Sequence, residues 1–78
     1  MSGRLFGAGV GRVHPARAKL IDTIARKNDA EFHWNKDGSQ YWFSTDIVEP
    51  AAVKRTRDDI VAELDAAGLW PIVPESGR

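Results

Sequence analysis

The sequence predicts a small two-layer α+β domain with elements in the order α-β-β-α and an antiparallel hairpin covered on its aromatic face by two helices. Three observations carry that expectation. Asp37-Gly38 stands between two alternating runs, a strong hairpin signal because both turn residues must accept positive φ. Apolar residues recur at helical spacing on either side, over residues 15–28 and 50–67. Five of the seven aromatic residues fall within one stretch, AEFHWNKDGSQYWFS from Ala30 to Ser44, so that ribbon must contribute to the core.

With 78 residues the chain makes one domain, near the lower size at which a core holds without staples. It has no cysteine and only two histidines, His14 and His33. A structural zinc site would need several carboxylates, and no metal or cofactor is expected. Stability then rests on 22 large apolar residues, 18 of them after Val13. No apolar run approaches a membrane span, and no uninterrupted apolar region follows Arg4 as in a secretory signal. The expectation is a soluble, cytoplasmic protein.

Residues 1–13, MSGRLFGAGVGRV, read as a flexible, basic, glycine-rich arm, since such a segment loses too much entropy to order alone. Its glycines match neither G-x-G-x-x-G nor the Walker pattern. Leu5, Phe6 and Val10 are available to dock on a surface, and Arg4 and Arg12 to follow a phosphate backbone. Residues 14–74 form the domain, and 75–78 a polar tail.

Pro15 opens helix 1, where its missing N–H costs nothing. Leu20, Ile21 and Ile24, with Ala16 and flanking Ala25 or Asn28, make a narrow stripe. Arg17, Lys19, Asp22, Thr23 and Arg26 face water. Arg26 and Lys27 complement the helix dipole in the last turn, and Asn28 offers a left-handed stop.

A two-residue turn at Asp37-Gly38 pairs Lys36 with Ser39, Asn35 with Gln40, Trp34 with Tyr41, His33 with Trp42, Phe32 with Phe43 and Glu31 with Ser44. One face is then Phe32, Trp34, Tyr41 and Phe43, which must be core. The other holds Glu31, His33, Asn35, Gln40, Trp42 and Ser44. A one-residue slip mixes the two faces.

Pro50 opens helix 2, whose stripe is Val53, Arg57, Ile60, Val61, Leu64 and Ala67, with Gly68 as its stop. Lys54, Arg55 and Arg57 precede Asp58, Asp59, Glu63 and Asp65, an order that opposes the helix dipole and leaves cations for an external anion. Leu69 to Val73 contains Pro71 and reads as an extended strap or an edge strand that closes the core.

Net charge is zero, but residues 1–28 carry +5 and residues 29–78 carry −5. No nucleophile elbow, paired carboxylate motif or phosphate loop is present. A non-enzymatic binding module is the expected class: a small protein-binding or self-assembling accessory or adaptor protein of a bacterium or phage. Its partner, another protein or a second copy, would meet Trp42, His33, Leu5 and Phe6. The alternative is a nucleic-acid-binding regulator using Arg4, Arg12, Arg17, Lys19, Lys54, Arg55 and Arg57, though neutrality weighs against a dominant positive field. A second alternative is a small single-His RNase-like toxin, in which His33, on one hairpin face with Glu31, would work with nearby Arg side chains by general acid–base chemistry.

Overall fold

The hairpin forms, and its two strands are the centre and one edge of a three-stranded antiparallel sheet. In the computed structural model, which describes residues 4–75, the elements run β1 (Arg4–Val10), α1 (Pro15–Lys27), β2 (Glu31–Lys36), β3 (Gln40–Thr45) and α2 (Pro50–Ala66). The strand order in space is β1-β3-β2. The α+β class holds, but the chain enters the domain through a strand rather than an arm.

Residues 4–10 of the expected flexible arm pair with β3, Arg4 opposite Thr45 and Val10 opposite Gln40. The glycines have a packing reason that the entropy argument overlooked. A Cβ at Gly9 would overlap the hydroxyl end of the Tyr41 ring. At Gly7, where φ is +65°, a Cβ would stand 2.9 Å from Phe43 Cδ1. The register shifts between Phe6 and Gly9, and Gly7 supplies the left-handed residue of that bulge. The strand is therefore glycine-rich because aromatic rings of β3 lie across it. Glu75, first residue of the expected tail, bridges to Arg12. Positions 1–3 and 76–78 of the expected arm and tail lie outside the described residues.

In the hairpin, Glu31–Ser44, Phe32–Phe43 and His33–Trp42 face each other as alternation requires. Nearer the turn Lys36 faces Gln40 instead of Ser39, so the loop has three residues, not two. A bulge between His33 and Lys36 absorbs the slip. Asn35, at φ 55°, lies in that bulge, and its amide accepts from the Val13 N–H at 3.0 Å and donates to the Val13 carbonyl at 3.2 Å. The slip does not divide the rings: Trp34 and Tyr41 both pack against the core.

Phe43 is the hub of that core. It stacks on Phe6 with centroids 5.4 Å apart and tilts against Phe32 at 4.8 Å. Around these rings sit Ala18, Ile21 and Ala25 of α1, Ile60 and Leu64 of α2, and Val13, Ala30, Leu69 and Ile72 from the connections. Fully burying a large apolar side chain stabilises by about 1.5–3 kcal/mol, so this cluster dominates the fold. The buried stripe of α1 is offset from the expected one. Ile21 and Ala25 of that stripe are buried, but Leu20 and Ala16 are exposed, and Ala18, outside it, takes an inner position.

Pro15 starts α1, and His14 caps it, Nδ1 accepting from the Ala16 N–H at 3.1 Å. The left-handed stop falls on Asp29 (φ 63°) and not on Asn28. Gly68 stops α2 with φ +75°. The following segment forms no strand. It buries Leu69 and Ile72 as a strap, and the edge position it was a candidate for belongs to β1.

Candidate functional site

Alternation along β3 puts Phe43 and Tyr41 on the helix side and Trp42 and Ser44 on the other. The same alternation in β2 leaves His33 and Glu31 beside them. Their β1 neighbours are Leu5, opposite Ser44, and Val10, opposite Gln40. The result is an open sheet face with a shallow apolar depression lined by Leu5, Ala8, Gly9, Val10, Gln40, Tyr41 and Trp42. All of these belong to β1 and β3, so neither helix covers it. Leu5 is 69% exposed and Val10 74%, whereas Phe43 is 2% exposed.

Trp42 is half-buried because His33 stacks on it, with centroids 5.2 Å apart and planes 22° from parallel. His33 Nε2 lies 2.8 Å from Ser44 Oγ and 3.8 Å from Glu31 Oε1. A serine, a histidine and a glutamate in one cluster suggest nucleophile activation, but the geometry is wrong for it. A relay needs the acid on the ring nitrogen opposite the one that takes the hydroxyl proton, and here both groups approach Nε2. Glu31 also approaches the Arg26 guanidinium, at 4.0 Å. The cluster orients the ring that holds Trp42 in place.

Of the four side chains expected to meet a partner, Trp42, His33 and Leu5 share the open face. Phe6 does not: its ring stacks on Phe43 on the helix side. Sequence reading named Val10 as a docking residue of the arm and missed Ala8. The signal that would have placed them is Gly7, Gly9 and Gly11 at two-residue spacing, which is strand periodicity.

The seven basic residues of the nucleic-acid alternative are not gathered on one element. Arg4 Nη2 donates to the Val48 carbonyl at 3.1 Å, just before α2, while Arg12 lies beyond the other end of β1. Arg17 and Lys19 are exposed on α1. Lys54 and Arg57 each reach Asp58, at 3.2 and 3.3 Å, so two of the three cations of early α2 already face a carboxylate; Arg55 is exposed. The basic and acidic halves interleave where α1 meets α2. Lys27 Nζ donates to Glu63 Oε2 at 2.8 Å and Asn28 Nδ2 to Oε1 at 2.9 Å, and together they hold the Glu63 carboxyl below its ordinary range. Asp22, expected to face water, instead accepts from the Phe32 N–H at 2.9 Å and from Arg26 Nε at 2.8 Å.

No helix is long and apolar enough to cross a membrane among the described residues. Compared with known proteins, the chain matches no family model, no curated protein and no solved structure.

Proposed function

We propose that this protein is a small accessory or adaptor module that binds protein through the open face of its sheet and carries out no catalytic step. The observation that supports this most directly is the position of Leu5 and Val10 beside Trp42, exposed on the side of the sheet away from the core. A side chain that contributes so little to folding, placed next to a half-buried tryptophan, suits a contact surface with an aromatic anchor. A cytoplasmic setting fits a chain without cysteine.

The test is a photo-activatable side chain introduced at Leu5, with the same group at the exposed Ala62 of α2 as control. Protein adducts from position 5 and none from position 62 are expected in the cells that make the protein. Adducts from position 62 alone, or none from position 5, overturn the proposal. Duplex-DNA binding at moderate salt that is lost on Lys54→Ala with Arg55→Ala also overturns it, in favour of the nucleic-acid reading.

A further inference from the structure

We infer that the open face of the sheet takes an extended segment of a partner protein in which an apolar residue and, two positions on, a lysine or arginine share one side. The apolar side chain enters the depression, and the cation meets an acidic cleft at the end of the sheet. This rests on the protein-binding reading above and names the chemistry of the partner. Depression and cleft are neighbours because one cross-strand row belongs to both: Leu5 and Glu31 flank Ser44, in β1 and β2. Leu5 lines the depression, whereas Ser44 and Glu31 line a cleft of about 590 Å³ with Arg26, Asp29 and Asp46. Trp42 of the depression and Ser44 of the cleft are same-side neighbours on β3, about 7 Å apart by strand geometry. Same-side residues of an extended segment have that spacing too.

Charge selects the cation. Three carboxylates of the cleft, on Asp29, Glu31 and Asp46, meet one guanidinium, and Arg26 is already held by Asp22 at 2.8 Å. Among the described residues, Asp29 and Asp46 are exposed and join no ion pair. Arg4, opposite Thr45, donates to the Val48 carbonyl. Even with Asp22 and Arg4 counted in, four carboxylates stand against two guanidinium groups. The cleft also lies at the C-terminal end of α1, where the helix dipole favours cations. Lys36 stands at the opposite end of the hairpin, beside Gln40, so the attraction is confined to one end of the face. Size selects a segment over a folded partner. Three strands and the seven residues of β1 make a face roughly 14 by 23 Å, or about 300 Å². A stable pair of folded proteins, a second copy included, needs about 800 Å² from each side.

The probe is a blocked pentapeptide of threonine with leucine second and lysine fourth, read by amide chemical shifts at Leu5, Trp42 and Ser44; its counterpart carries glutamate fourth. The lysine peptide should bind about fivefold tighter at low salt, and the advantage should shrink as salt is added. Asp29→Asn with Asp46→Asn should remove most of that advantage and leave the fold intact, since asparagine tolerates the left-handed conformation of Asp29. Asp37→Asn, which removes an exposed carboxylate at the hairpin turn, should leave it unchanged. Equal affinity of the two peptides, no binding of the lysine peptide, or an advantage undiminished by Asp29→Asn with Asp46→Asn overturns the inference. An advantage lost equally in Asp37→Asn does the same. So does a concentration-dependent dimer that shifts the same amides without peptide, which would make the occupant a second copy. If the lysine peptide has no advantage while adducts still form from Leu5, the basic segment falls and the protein-binding reading stands. If the adducts fail as well, both fall.

Discussion

The two sides of the sheet are built from the same three strands and the same residue classes, yet they do different work. On the helix side Phe6, Phe32, Trp34, Tyr41 and Phe43 form a continuous aromatic layer under α1, α2 and the strap. On the open side one aromatic pair, His33 and Trp42, stands among Leu5, Ala8, Val10, Gln40 and Ser44. On the covered side, Asp22 of α1 also reaches the β2 edge and takes the outward Phe32 N–H. The comparison separates residues that make the fold from residues the fold can spare.

The most severe way to test that division is Phe43→Ala. Phe43 meets rings from both neighbouring strands and is almost fully buried, so its loss should cost about 3–5 kcal/mol in a urea titration. A cost under about 1 kcal/mol would mean that the aromatic layer is not the core. Gly9→Ala comes next. The new methyl would have to displace the Tyr41 ring, which should cost about 1–3 kcal/mol. A neutral result would mean that β1 does not lie against β3 as described, and the arm reading would return.

How far the sequence could be read follows the same division. The hairpin, both proline-started helices and the aromatic layer were legible, because each rests on local chemistry: turn residues, a ring-locked φ and two-residue alternation. Strand β1 was not. Its glycines looked like entropy cost, and their purpose depends on Phe43 and Tyr41, more than thirty positions away. The loop length was also misread, because Asn35 leaves the ladder to bind Val13, a contact 22 residues distant. Of the candidate site, Trp42 and His33 were legible from alternation in the hairpin, whereas Leu5 was named only as an apolar residue of the arm. Phe6 was misplaced for the same reason that β1 was: without a strand there was no face to assign it to.

The covered side should also lose stability in acid. Lys27 and Asn28 hold Glu63 deprotonated below its usual range, so its folded pKa is depressed. A depressed carboxyl contributes fully above the ordinary value of about 4.5, and the contribution is lost as pH falls through the folded value. Glu63→Gln should therefore lower the urea midpoint slightly at neutral pH, and the gap between variant and wild type should narrow as the pH falls below the ordinary carboxyl value. The effect is small because the pair is solvent-exposed and screened. A gap that is constant with pH would remove the ion pair from the account of the helix junction.

The smallest expected change sharpens the comparison most. Leu5→Ser exchanges an apolar side chain for a polar one in a strand, a substitution that in a core position would be among the costliest. Here the side chain is mostly in water already and adds little to the core. The stability change should stay within about 0.5 kcal/mol. If binding falls in the same variant, the residue is kept for contact, because the fold has no use for it. A large loss of stability would mean that the open side is covered in solution by something the monomer provides, and the division between the two sides would no longer hold.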